Sequence, residues 1–131
     1  MARRCCVLVI EDNEQVSALL DDVVSLEGYD VELVRPPLDG TDDIDFKGYD
    51  VAIIDLWLPR GHDAFAIAQR AAAAGAGVIL VSGNEPLYER ARESGYSFLQ
   101  KPFRIASLVQ LIHQVLERTG VDCEGSKAAT A

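Results

Sequence analysis

Glu11, Asp12, Asp55, Ser82 and Lys101 share one property: each closes, or closely follows, a short apolar run. Glu11-Asp12 ends the run at residues 5–10, Asp55 the run at 51–54, Ser82 the run at 78–81, and Lys101 follows the run at 96–99. Apolar runs of this length, rich in Val, Leu and Ile and lacking clean alternation, suit strands buried on both faces. In an open parallel sheet the carboxyl ends of the strands form one rim, and ligands bind there. Three carboxylates gathered on that rim repel one another, which raises their pKa values and destabilises the site unless a cation neutralises them. A hard divalent ion resolves the conflict. A donor set of oxygens without His or Cys selects Mg2+, with Mn2+ as the alternative, over zinc, and Mg2+ commonly shares its remaining positions with a phosphoryl group.

The rest of the chain reads as the scaffold for that rim. Val16, Leu19, Leu20, Val23 and Leu26 recur at helical spacing between Asn13, a cap residue, and Gly28, a stop. A more alternating strand is predicted over residues 29–34. Phe65, Ala68 and Ala72 mark an alanine-rich helix ending at Gly75, a polar helix is predicted over 86–94, and a short fifth strand over 96–99. After Pro102, the residues Ile105, Leu108, Val109, Ile112, Val115 and Leu116 fall on one side of a last helix. Between strands two and three, residues 35–48 hold Pro36-Pro37, Gly40 and four aspartates, and at most one helical turn is expected there. Strands alternating with helices predict a doubly wound α/β fold: a five-stranded parallel sheet with helices on both faces and the second helix short or missing. Residues 1–118 form the expected domain and 119–131 a flexible polar C-terminal tail.

Composition narrows the function further. With 131 residues there is room for one core, and 49% hydrophobic residues are enough to build it. Twelve Lys and Arg against twenty-one Asp and Glu leave a charge of −9, which repels phosphate backbones and anionic lipid, so neither nucleic acid nor membrane is an expected partner. No apolar run reaches membrane-spanning length, and a cytoplasmic location is expected. Cys5, Cys6 and Cys123 are odd in number and are read as reduced thiols, one or two of them packing as small hydrophobes. His62 and His113 are single and distant in sequence, and no role follows from them.

The segments VLVIEDN, AIIDLWLP and VILVSG, followed by Lys101-Pro102-Phe103 and in this order, resemble the receiver domains of two-component response regulators over residues 5–118, and the resemblance implies a flavodoxin-like sheet in the order 2-1-3-4-5. The resemblance implies that Asp55 is the phosphoacceptor, taking a phosphoryl group from a phosphohistidine of a histidine kinase or histidine phosphotransfer protein. It implies that Glu11, Asp12, Asp55 and the backbone carbonyl of Trp57 hold Mg2+, and that Ser82 and Lys101 contact the phosphoryl group. Phe98 matches the family's switch aromatic, and Lys101-Pro102 a pair that is cis in the family. Output is expected on the face made by the helix over 86–94, the fifth strand and the last helix, with the chain a monomer or a phosphorylation-dependent dimer. Beyond slow self-dephosphorylation no enzymatic turnover is expected. The sequence departs from the family in its vestigial second helix, in loops a few residues short, and in His62-Asp63-Ala64 after the third strand. Two other readings compete: an aspartate-nucleophile phosphohydrolase, which wants a second aspartate where Trp57 stands, and a degenerate receiver-like interaction module.

Overall fold

Strands β1 (Cys6–Ile10), β2 (Asp30–Val34), β3 (Val51–Asp55), β4 (Gly77–Ser82) and β5 (Ser97–Gln100) form one parallel sheet in the order β2-β1-β3-β4-β5. The computed structural model describes residues 4–35, 44–58, 63–121 and 123. Among these, four α-helices accompany the sheet: α1 (Glu14–Leu26), α2 (Ala64–Ala73), α3 (Tyr88–Glu93) and α4 (Ile105–Thr119). The fold is the doubly wound one that the alternating pattern predicts, with the flavodoxin-like strand order that the family resemblance implies. β1 pairs with β2 on one side and β3 on the other, so the winding reverses between them and a crevice opens beyond their carboxyl ends.

The two-residue period of the strands divides the core in two. Val7, Val9, Val51, Ile53, Ile79 and Val81 belong to one apolar cluster with Leu20 and Val24 of α1 and Leu108 and Ile112 of α4. Leu8, Ile10, Ala52, Ile54 and Leu80 belong to the other, against Ile67, Ala68 and Ala71 of α2 and Ala91 of α3. Local signals set the helix ends. The Asn13 side chain accepts from the Val16 N–H at 3.0 Å, and Asp63 accepts from the N–H groups of Phe65 and Ala66, capping α1 and α2. A 3-10 turn, Glu85–Leu87, leads into α3, which buries only Ala91 and stays short. Gly77 admits the close approach of α4, since a Cβ there would collide with the Val115 side chain.

Residues 44–50, the described part of the β2–β3 connection nearest β3, pack over the sheet. Phe46 is 4% exposed in the α2-side cluster, the Arg70 guanidinium lies 5.3 Å from its ring centre, and Arg70 also donates to the Ile44 carbonyl. The Tyr49 hydroxyl donates to Glu32 of the edge strand β2, and burial followed by that carboxylate pushes its pKa up to about 12. The expectation of at most one turn over residues 35–48 falls mostly on positions 36–43, outside the described residues, as does His62.

One expectation is overturned. Cys5 and Cys123, read from the sequence as reduced thiols, are joined by a disulfide with their Cα atoms 5.3 Å apart, while Cys6 is not disulfide-bonded. Gly120, at φ 74°, ends α4 in the left-handed conformation that favours glycine, and the Val121 N–H donates back to the Leu116 carbonyl. The chain thereby turns toward the start of β1, where Cys123 is buried. A separation of 118 residues hides such a pair from any reading of local spacing.

Phe46 is buried in the α2-side cluster, so its truncation should open a cavity over the sheet. Phe46→Ala is expected to lower unfolding free energy by about 3–5 kcal/mol in urea titrations, with no loss of sheet signal before the main transition.

Candidate functional site

Each acidic residue of the rim is delivered by a buried strand. Glu11 follows β1 directly and is 1% exposed; Asp55 is the last residue of β3 and is 4% exposed. Asp12, half-buried, adds a third carboxylate, and one oxygen from each of the three lies within 4.8 Å of the others. The Lys101 ammonium reaches in from beyond β5 and donates to Glu11 and to Asp55, at 3.1 Å each. The Lys101-Pro102 peptide bond is cis. Backbone donors complete the arrangement, the Trp57 N–H to Asp55 at 3.0 Å and the Asn13 N–H to Glu11 at 3.2 Å.

The electrostatics follow from burial. Glu11 is pushed up to about 8, first by loss of water and then by the neighbouring Asp55 carboxylate, with Lys101 opposing the rise. Burial alone would draw Lys101 down, but the Asp55 and Glu11 carboxylates outweigh it and hold its pKa above the ordinary value. The site thus holds more negative charge than its single ammonium neutralises. A cavity of about 890 Å³ opens from it to solvent, with Glu11, Asp12, Asp55, Trp57, Gly83 and Lys101 among its lining residues.

The remaining predicted residues take up distinct positions. Ser82, fully buried at the end of β4, has its hydroxyl oxygen engaged by the Asn84 N–H at 2.9 Å and does not line the cavity. Trp57 is 65% exposed at the cavity edge. Phe98 of β5 is half-buried on the α2 and α3 side, its ring 5.3 Å from that of Tyr88. Arg35 also lines the cavity, 3.9 Å from Glu14. No sequence pattern singles it out, because it stands at the end of an edge strand and only the β1-β2 pairing brings it to this rim.

A sequence profile described as "Response regulator receiver domain" matches residues 7–113, most of the chain. The chain belongs to the response regulator receiver family. Among its curated relatives, the swarming motility regulation protein RssB of Serratia marcescens is 28% identical over 116 residues, covering 86% of this chain and 53% of that protein. The transcriptional regulatory protein RprY of Bacteroides fragilis is 26% identical, covering 90% of this chain and 52% of that one. The chain therefore spans about half the length of the curated relatives it matches. Among solved structures, a receiver domain of the Francisella response regulator 1452 superposes with a TM-score of 0.74 at 23% identity, covering 88% of this chain and 99% of the other. A CheY-like receiver protein from Methanospirillum hungatei superposes with a TM-score of 0.76 at 20% identity, covering 89% and 97%. Receiver domains of this family serve two-component response regulators, and the likeness of fold agrees with the sequence match.

The crowded carboxylates make stability depend on pH in the metal-free protein. The folded-state value of Glu11, about 8, lies above its ordinary 4.5, so its favourable contribution is fully present below about 4.5 and is lost as pH rises through about 8. Lys101→Ala should therefore be costly at alkaline pH, where two buried anions lose their counter-ion. A loss of about 3 kcal/mol is expected at pH ~8 and a smaller loss at pH ~5, measured by denaturant titration in chelator.

Proposed function

We propose that Asp55 accepts a phosphoryl group from a phosphohistidine of a histidine kinase or histidine phosphotransfer protein. The observation that carries this reading is the joint placement of the Asp55 carboxylate, the Glu11 and Asp12 carboxylates and the Lys101 ammonium at the floor of one solvent-open cavity. An Asp55 oxygen attacks phosphorus, the phosphorus–nitrogen bond breaks, and the electron pair stays with the departing imidazole, leaving an acyl phosphate on Asp55. Phosphoryl transfer requires positioning and neutralisation of the equatorial oxygens more than covalent help. Lys101, already bonded to Asp55 at 3.1 Å, is placed to exchange one carboxylate contact for a phosphoryl oxygen.

Glu11, Asp12 and Asp55 fit a hard divalent cation, because they offer only oxygen donors and carry charge that Lys101 alone does not neutralise. They would hold Mg2+, or Mn2+ in its place, together with the Trp57 backbone carbonyl. That ion would neutralise the incoming phosphoryl oxygens. The Ser82 hydroxyl would leave Asn84 and donate to the phosphoryl group, and Phe98 would follow it inward. The signal would then be read on the face of α3, β5 and α4 by an output protein, or passed on by further phosphotransfer. A cytoplasmic location and a regulatory role, with self-dephosphorylation as the only turnover, complete the reading. Among the described residues no helix is long and apolar enough to cross a membrane.

Incubation with a small-molecule acyl phosphate and Mg2+ should give a labile single-phosphoryl adduct by intact mass, absent in Asp55→Asn and absent when Mg2+ is chelated. An adduct on Asp55→Asn, or none on the wild type at saturating donor, would overturn the assignment. Consumption of many donor molecules per chain would favour a phosphohydrolase instead.

Trp57 stands exposed at the cavity edge, where its indole shields the acyl phosphate from water. Trp57→Asn is expected to shorten the half-life of the adduct several-fold, as followed by the decay of the phosphorylated mass after donor removal. An unchanged half-life would show that the ring merely packs on the loop.

A further inference from the structure

A second reactive pair lies at the opposite end of the sheet from the acidic cavity. Cys5 immediately precedes β1 and has no exposure, and Cys123, beyond the end of α4, is 7% exposed. Both pack in the cluster between the sheet and helices α1 and α4, beside Val24, Tyr29 and Leu116. Glu11 lies beyond the far end of the same strand, so at the strand rise of ~3.3 Å per residue the two centres are about 20 Å apart. Cys5 is held independently of its sulfur, because its carbonyl accepts from the Asp30 N–H at 2.9 Å as β2 begins. The segment leading to Cys123 is held differently. Among the described residues, the hydrogen bonds from Thr119, Gly120 and Val121 all return to the last turns of α4. Val121 also packs against this cluster and Cys123 stands in an isolated β-bridge, and the covalent link adds a join from that segment to β1 across a sequence separation of 118.

We propose that Cys5 and Cys123 are a reversible redox pair whose oxidation fastens the segment after α4 to the start of β1 and whose reduction releases it. Breaking the link leaves the sheet register and the Gly120 cap in place, since neither depends on a sulfur. A disulfide in a reducing compartment is characteristically a transient or sensing one, which sets it apart from the structural bridges of secreted proteins. The oxidant is a small disulfide such as glutathione disulfide. The Cys123 thiolate, the more accessible of the two, attacks one oxidant sulfur, forms a mixed disulfide and expels one glutathione thiolate. The Cys5 thiolate then attacks the Cys123 sulfur and expels the second. The two cysteine thiols have lost two electrons and two protons, and the oxidant has gained both. This inference uses residues outside the acidic cluster and does not depend on Asp55, but its reversibility rests on the cytoplasmic location proposed above. Its consequence is a change in where the chain runs after α4, with the acidic site unaltered.

The test is equilibration of the full chain across a series of reduced-to-oxidised glutathione ratios, followed by acid quench, alkylation and intact mass. The expected result is one transition between a form with all three cysteines alkylated and a form with only Cys6 alkylated. Cys123→Ser should abolish the transition and Cys6→Ser should leave it unchanged, while the wild-type titration needs no substitution. Amide hydrogen exchange at residues 117–121 should be about tenfold faster in the reduced wild type than in the oxidised one, with β1 and β3 unaltered. Three alkylated cysteines at every ratio, a glutathione adduct that never closes, or a disulfide between two chains would overturn the pair. A bridge that resists every reducing ratio while the protein stays folded would make it a permanent staple, and equal exchange in both states would remove the release.

Discussion

Mutual repulsion among carboxylates at the ends of two adjacent buried strands is the constraint around which this molecule is arranged. Two unit charges at the spacing found among Glu11, Asp12 and Asp55 repel by about 3–4 kcal/mol at an effective dielectric of ~20. The protein relieves part of this by drawing Lys101 between Glu11 and Asp55 and by raising the pKa of Glu11. What is left unrelieved is the charge that the proposed divalent cation would neutralise. The same crowding underlies both the expected pH dependence of stability and the proposed binding of a cation with a phosphoryl group.

That arrangement tolerates no slack, and the scaffold provides none. Glu11 and Asp55 are carried on β1 and β3, whose last four and five residues respectively are fully buried, with helices packed on both faces. Groups whose proposed roles require movement sit on less confined supports. Trp57 is exposed, Phe98 is half-buried against Tyr88, and the Ser82 hydroxyl is engaged by a neighbouring backbone N–H from which it can rotate. Rigid carriers thus hold the charges, and looser carriers hold the groups proposed to respond.

The faces of the domain depart from the family pattern more than its rim does. Phe46, under Arg70, covers the sheet where a second helix would be expected, and α3 is six residues long with one buried side chain. The receiver family is shared with regulators about twice as long as this chain. Their further parts lie outside the similarity.

Much of this was legible in the residue order. Runs of Val, Leu and Ile too short for helices and too apolar for a half-exposed sheet determined a parallel α/β fold, and strand-end positions picked out Glu11, Asp12, Asp55, Ser82 and Lys101. Those signals are local, since burial on both faces and a reversal at the strand end are each written within a few neighbours. Whatever depends on contacts between distant segments was decided by the tertiary structure alone. Phe46 against the α2-side cluster, Arg35 at the cavity edge, the Asn84 N–H on Ser82 and the joining of Cys5 to Cys123 all belong to this class. A cysteine count is blind to a partner 118 residues away, because pairing is a matter of Cα distance and burial, which exist only once α4 has turned the chain back onto the first strand.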